Sequence, residues 1–577
     1  MNTQHIRRKK SQKAYALLMV LVMASVSILL YSGAARWTSG SAIVNDRNNT
    51  YNASVAAAEG ASEQVLAYMT RDFFNQSYDP NRLGQYTVLV PTNDWAAHYE
   101  FSDGLGAVNR TYVSSTTSLQ VTNIDSEFPG LYGMVYACRV QSNAKPLGTP
   151  YLMAAGVAQD IQLASIPVFQ FAIFYGMDLE INPGPVMKIT GKVHSNANIY
   201  TAPVAGLEYM DTVTAVEHVY NNRHPDDPTI TAKVAPVYDA PPKSPIEGVS
   251  TLTLPIGTNN NPAEVAKIIQ VPPSSESPLS PLGKARYYNQ CDLVITTTST
   301  NVTVAAGNWY SFAAVVPDAS PGYSFVKTNA SFYDAREGKN TFVTDVDIAA
   351  LGKWMTNAGA GLNTLALARN GHRLNSIYVD DRRANASKLT VVRVSNGQTL
   401  PPNGLTVATQ LPIYVQGNFN APITIPGSTN TTTSKPSSLV GDAITVLSVN
   451  WSDYTNGSKT LSQRPALDTT VNAAFLAGIV QTTNSNGVKH YSGGVENFPR
   501  FLEDWSGKTL TYNGSMVVLF ASQSATQFWI GPGTYYNAPN RQWAFDQNFL
   551  NFTKLPPLTP MVRKLVRGQW NVVAAVP

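Results

Sequence analysis

AYALLMVLVMASVSILLYSGAA, Ala14 to Ala35, is the stretch that decides how this chain is organised. Its 22 residues carry no charge. A helix rising about 1.5 Å per residue would cross the roughly 30 Å hydrocarbon core of a bilayer in that length. Arg7, Arg8, Lys9, Lys10 and Lys13 precede it, with no acidic residue among them. The positive-inside bias therefore predicts a basic cytoplasmic leader over residues 1–13 and a transmembrane helix over 14–35. The expected topology is a single pass through the inner (cytoplasmic) membrane, with the bulk of the chain after Arg36 exported to the periplasm or cell surface. A cleaved secretory signal has an apolar core of about 7–15 residues, shorter than this one, although Ser32-Gly33-Ala34-Ala35 offers small residues for a cleavage site.

Beyond the apolar stretch, residues 36–76 read as a helical extension. Ala56, Ala57, Ala61, Val65 and Met69 fall near helical spacing and predict a stalk whose apolar stripe packs on the next domain. Asn48, Asn49 and Asn52 predict a looser, solvated turn at the membrane exit.

KKSQKAYALLMVLVMASVSILL followed by NASVAAAEGASEQVLAYM resembles the N-terminus of type IV pilins and pseudopilins, especially the PilX type. The resemblance covers about 70 residues, to where helical periodicity fades. In those families a short basic leader is cut before an aromatic or apolar residue, which implies Ala14 and Tyr15 as the leader cleavage site. Ala57, Ala58 and Glu59 match the Ala-Ala-Glu of the extension. The family has Gly before the cut, where this chain has Ala14. It has Glu at the fifth mature position, where this chain has Met19. The resemblance thus implies a minor or accessory component, not the repeating filament subunit. Its partners would be membrane lipid and other pilin or pseudopilin subunits. Ser25, Ser27, Gly33 and Ala34 are candidate helix-packing residues, since small side chains permit close approach in a membrane.

Composition agrees with a large exported part. The chain has 577 residues, 14% charged and 44% hydrophobic, with 39 Gly and 37 Pro, a length that predicts several domains or one long repetitive one. Net charge is +4, which the basic leader more than accounts for. No basic patch with interleaved aromatics stands out, so no nucleic-acid partner is expected. The two cysteines, Cys138 and Cys291, leave two alternatives, a disulfide in an oxidising compartment or a pair of buried thiols. Cys and His spacing suits no zinc site, and neither a metal nor a cofactor is expected.

Residues 77–168 predict an antiparallel β module. Short runs such as YTVLV, HYEF and YGMVYACRVQS alternate with Asp, Gly, Asn and Pro. Residues 169–492 predict a β-rich, solenoid-like region. MKITGKVHSNANIYT, LPIYVQGNFNAPITI and TTVNAAFLAGIVQ each join a short β run to a small residue or Asn at a bend, though with irregular period. The Pro- and Ser-rich runs between Pro236 and Gly283 predict surface connections, and Thr344 to Trp354 predicts the start of a helix.

A second resemblance enters with GKVHSNANIY, LPIYVQGNFN, VGDAITVLSVNW, NAAFLAGIV and GGVENFPRFLEDWSGKTLTYNGSMVVLF. These blocks look like a group of large bacterial envelope proteins with a PilX-type N-terminus, and imply a β-rich, partly solenoidal (β-helix) exported region. The fold class expected is therefore mainly β, with an N-terminal membrane-spanning α-helix.

His194 beside Ser195 hints at nucleophile chemistry, but neighbours on a strand point to opposite faces, and a structural role with Asn196 is expected. Asp345 and Asp347, or Asp380 and Asp381 beside Arg382 and Arg383, would suit a polysaccharide-acting β-helix enzyme only with further groups that the sequence does not show, so no catalytic residue is assigned. Residues 493–577 form an aromatic-rich C-terminal block. They read as a cap over the apolar end of a solenoid, with FPRFLEDW as a helical turn, or else as a platform for a glycan ligand. The function expected is a structural or accessory one in a type IV pilus or related surface assembly. The alternatives are a surface adhesin and a polysaccharide-acting enzyme.

Overall fold

The computed structural model describes residues 13–92, 94–124, 126–151, 153–307, 323–422 and 427–575. Of the leader expected over 1–13, only Lys13 lies among them. The chain is mainly β behind one long N-terminal helix.

That helix, α1, runs unbroken from Lys13 to Phe74, 62 residues. The looser turn expected at Asn48, Asn49 and Asn52 is absent. The physical reason is cooperativity: a few weak helix formers cost under about 1 kcal/mol each, and the turns on both sides are already formed. Their hydroxyl neighbours add to this. Thr50 Oγ1 donates to the Asp46 carbonyl at 2.8 Å and Ser54 Oγ to the Thr50 carbonyl at 2.9 Å.

The second half of α1 lies on an antiparallel sheet. Ala57, Ala58, Ala61, Val65 and Met69 are fully buried, with Leu66 and Phe73 close to it. The sheet runs in the order Tyr99–Ser102, Tyr132–Pro146, Ala155–Pro167, Met561–Val573, with Tyr112–Ser115 and Gln120–Asn123 also paired to the second strand. Alanine at 57, 58 and 61 lets the helix backbone approach this sheet, beside Val157 and Ala144.

Before Tyr99 the expected strands give way to a 3-10 turn, Pro80–Arg82, and short helices at Gly84–Thr87 and Asp94–His98. Asp79 caps the 3-10 turn, with Pro80 pre-set for its start. Tyr86 then fixes the first short helix, buried with its hydroxyl 3.0 Å from Asp72 Oδ2.

The sheet hands over to parallel ladders through Val168–Gln170. Ile173 pairs with Val193 and Val193 with Val213, an offset of 20 residues each time (193 − 173 and 213 − 193). Two further faces repeat it. Leu179–Ile181 lies beside Ile199–Thr201, and Met187–Ile189 beside Leu207–Tyr209. An excursion between Tyr220 and Val237 then breaks the period, which is why the repeat reads as irregular.

From Val249 the chain crosses to the far end of the ladder. The Pro- and Ser-rich runs around Pro242 and Ser275 are exposed, as expected, but the segment between them is not: Leu252, Ile256, Val265, Ile268 and Ile269 are buried in the main core. Asn196 Nδ2 donates to the Leu252 carbonyl at 2.8 Å and Tyr378 Oη to the Ile269 carbonyl at 2.6 Å. The chain then winds back in parallel register: Leu293 on Ile377, Ile377 on Val407, Val407 on Leu439, Leu439 on Phe475 and Phe475 on Met516. Met516 pairs with Ile173, closing one 11-stranded sheet. A second parallel face runs through Lys339–Asp347, Lys388–Ser395, Ile413–Gln416 and Ile444–Leu447. Where the helix from Thr344 was expected, the strand ends at Asp347. The Asp347 side chain caps Ile348–Thr356, accepting from the Ala350 amide at 3.0 Å.

The aromatic block is neither a unit nor an end cap. Met516–Val518 sits mid-sheet between Ala474–Ala477 and Ile173–Tyr175, and Met561–Val573 leaves to join the α1 sheet. FPRFLEDW forms no helix beyond the 3-10 turn Val495–Asn497: Pro499 breaks it, Pro499–Arg500 pairs with Ile444 and Thr445, and Trp505 is fully buried.

Candidate membrane anchor and assembly helix

The first half of α1 touches nothing else. Residues from Tyr15 to Gly40 are all exposed, Tyr15 to 80% and Leu29 and Leu30 to 70% each. Such a continuous apolar surface is covered in a working protein by lipid or by other helices. α1 is long and apolar enough to cross a membrane.

Three of its hydroxyl side chains fold back on their own backbone. Ser25 Oγ donates to the Leu21 carbonyl and Thr38 Oγ1 to the Ala34 carbonyl, both at 2.8 Å, and Ser32 Oγ reaches the Leu29 carbonyl at 3.2 Å. In hydrocarbon that leaves no free hydroxyl donor at these positions.

The small residues picked from the sequence do not share one stripe. At about 100° per residue, Ser27 and Ala34 lie within about 20° of each other, whereas Ser25 and Gly33 point to other sides. A Cβ on Gly33 would meet nothing within 4 Å. Tyr15 is in the helix, as is the Ala14 backbone, so the expected cleavage site opens directly onto α1.

The other sequence candidates are built into the fold. His194 is fully buried among Phe128, Phe171 and Phe174, with Nδ1 at 2.8 Å from Thr214 Oγ1 and Nε2 at 3.0 Å from Asn196 Oδ1. Burial pushes its pKa down to about 4, against a smaller opposite pull from Asn196. Ser195 instead donates to the Met177 carbonyl at 2.9 Å. Asp345 pairs with Arg393 at 2.9 Å, Asp380 with Arg382 at 2.7 Å and Asp381 with Arg383 at 2.6 Å. Cys138 and Cys291 are both free and buried, so the disulfide alternative is not realised. Cys138 lies in the α1 sheet beside the Tyr78 hydroxyl at 3.3 Å, while Cys291 follows the short helix Tyr287–Gln290 and is buried in the main core.

Sequence reasoning missed a set of buried acids. Glu180 and Glu496 lie where the first winding meets the segment around Tyr491, each with its pKa raised to about 7 by burial. Glu180 Oε1 accepts from Ser492 Oγ at 2.8 Å and from Thr482 Oγ1, and also feels the charges of Asp227 and Glu496. Glu503 is raised to about 7 in the same way and accepts from Ser448 Oγ at 2.6 Å. The available signal was a glutamate next to apolar residues in a short β-like run, as in LEI around Glu180 and GGVENF around Glu496.

No family model and no curated protein matches the sequence. Among solved structures, the crystal structure of the competence-associated pilin ComZ from Thermus thermophilus aligns over 91% of this chain and 97% of that chain, with 11% identity and a TM-score of 0.25.

Proposed function

We propose that this chain is a pilin-like, PilX-type structural or accessory component of a type IV pilus or a related secretion or surface assembly. Residues 14–35 hold it in the inner membrane, with the N-terminus in the cytoplasm and the rest exported. It acts by protein-protein packing, with the exposed half of α1 laid against other pilin or pseudopilin helices through the Ser27 and Ala34 face. The exported parallel ladders form a β-solenoid that α1 carries as cargo.

The observation that carries this reading is the division of α1. One rigid helix is apolar and bare over its first half and embedded in a sheet over its second. A helix whose only purpose was to fill a core would be covered along its length.

The mature N-terminus, measured by mass spectrometry on protein from native cell envelopes, tests the proposal. A start at Tyr15 places the chain in the pilin-processing pathway. An intact leader makes it a fixed anchor and sinks filament entry. A start beyond Ala35 means a released protein and overturns the reading.

A further inference from the structure

A cavity of about 160 Å³ lies at the seam where the α1 module meets the parallel core. Three separate parts of the chain wall it. Gln76 comes from the turn after α1, Leu254, Lys284 and Tyr287 from the connector, and Leu558, Met561 and Arg563 from the final strand and its approach. An engineered cavity of about 150 Å³ holds benzene, so this volume takes a compact ring or a phosphate-sized group.

The walls are chemically one-sided. Arg563 and Lys284 bring two cationic groups, and no carboxylate lines the space. Neither cation has an ion-pair partner among the described residues, whereas their neighbours do: Lys564 pairs with Glu127, Arg567 with Glu63 and Arg286 with Glu276. Arg563 Nε is buried and lacks a hydrogen-bond acceptor. Its Nη1 donates to Ser165 Oγ and its guanidinium lies 4.3 Å from the Phe73 ring centre. Lys284 Nζ donates only to the Gln76 carbonyl, at 3.2 Å. The Tyr287 hydroxyl, on a side chain 1% exposed, also has no partner. Burial lowers the Arg563 pKa to about 10, so the guanidinium stays charged at neutral pH. A buried charge and a buried hydroxyl left without partners are each costly.

We infer that this cavity binds a small oxyanion, a carboxylate or a phosphate on a compact molecule, held by Arg563, Lys284 and the Tyr287 hydroxyl. The inference is independent of the proposed role in a pilus. A guanidinium and an ammonium supply charge-assisted donors to oxyanion oxygens, and the phenol supplies a further one. Since the turn that follows α1, the connector and the final strand each contribute a wall, a bound anion ties the exported core to its stalk.

The test is isothermal titration of the detergent-solubilised full chain with inorganic phosphate and, separately, with acetate, each against chloride at matched ionic strength. Saturable one-to-one binding of either anion is expected, and which one binds separates phosphate from carboxylate. Losing a charge-assisted hydrogen bond predicts affinity about tenfold weaker or worse in Arg563→Gln. Weaker binding is also expected in Lys284→Gln and Tyr287→Phe, and unchanged binding in Arg382→Gln. Should Arg563→Gln fail to fold, the Lys284 and Tyr287 variants carry the test. Heat no larger than that of chloride for both anions, or equal affinity in all variants, overturns the inference.

Discussion

Met516 pairs in parallel register with Ile173, so within the 11-stranded sheet the strand latest in the chain lies against the earliest. Strand direction is kept across this junction, and the ladder reads spatially from Leu293–Thr297 through Met516–Val518 and onward to Val213–Ala215. The chain thus builds the far part of its stack after the near part and returns to the middle. The buried connector spans the distance, and the last strand, Met561–Val573, locks onto Ala155–Pro167 beside α1.

The junction is a single cooperative seam. Val517 is fully buried, paired with Leu476 on one side and Phe174 on the other. Val517→Asp buries an unpaired carboxylate there and should cost about 3 kcal/mol or more. A lowered midpoint of urea unfolding is expected, and an unchanged midpoint would mean that the two windings do not meet at this strand.

The two halves of α1 should respond oppositely to bulk. Ala61 is fully buried against the sheet, so Ala61→Leu overpacks the contact and should destabilise by about 1–3 kcal/mol. Ala34 is exposed in the isolated chain. Ala34→Leu should leave thermal unfolding unchanged yet reduce recovery with other pilin-type subunits in envelope pull-downs. A loss of stability in Ala34→Leu would contradict the division of the helix.

Burial raises Glu180, Glu496 and Glu503 to about 7. With folded values above the unfolded ones near 4.5, the folded state holds more protons between about pH 4.5 and 7, and stability falls as pH rises through that window. The cost is complete above about pH 7. Glu496→Gln should therefore raise the melting temperature at pH 8 relative to the parent and have little effect at pH 4.5. An equal shift at both pH values would show that Glu496 is ionised throughout.

His194 works in the other direction. Its folded pKa, lowered to about 4, lies below the unfolded value near 6.5, so its contribution is intact above 6.5 and is lost as pH falls toward 4. The ring should show no titration by NMR between pH 8 and 5. A midpoint near 6.5 would mean that the ring is solvated.

Cys138 and Cys291 should behave as two inert thiols. Burial raises both pKa values and disfavours the thiolate that alkylating reagents need. Without reductant, iodoacetamide should label neither in the native protein and both after denaturation. Labelling of neither after denaturation would indicate a disulfide.

Several features were readable directly. An uncharged apolar run behind a basic leader can only be satisfied by a spanning or core helix, and the β-branched and aromatic residues of YGMVYACRVQS fall in the longest strand of the α1 sheet, Tyr132–Pro146. Of the stripe Ala56, Ala57, Ala61, Val65 and Met69, all but the exposed Ala56 lie on the face that packs, where Ala58 joins them because it sits next to Ala57 and Ala61 on the helix surface. The polar Asn run misled because propensity is a small term once flanking turns are helical. Pro and Ser in the connector marked its exposed stretches, at Pro242 and Ser275, but gave no sign of the buried middle between them. The unpaired cations of the seam cavity left no local trace, since their surroundings come from three distant segments.

By itself, the sequence determined which run is long and apolar enough to cross a membrane and many of the segments that extend as strands, because hydrophobic length and alternation are local properties. Only the tertiary structure decided that Met516–Val518 lies in the middle of the 11-stranded sheet, that Glu180 meets Ser492, and that Arg563 and Lys284 line one cavity. Strands of three or four residues buried on both faces carry no alternation to set their order. That order follows from which distant ladders can close in register, and no short window of sequence encodes it.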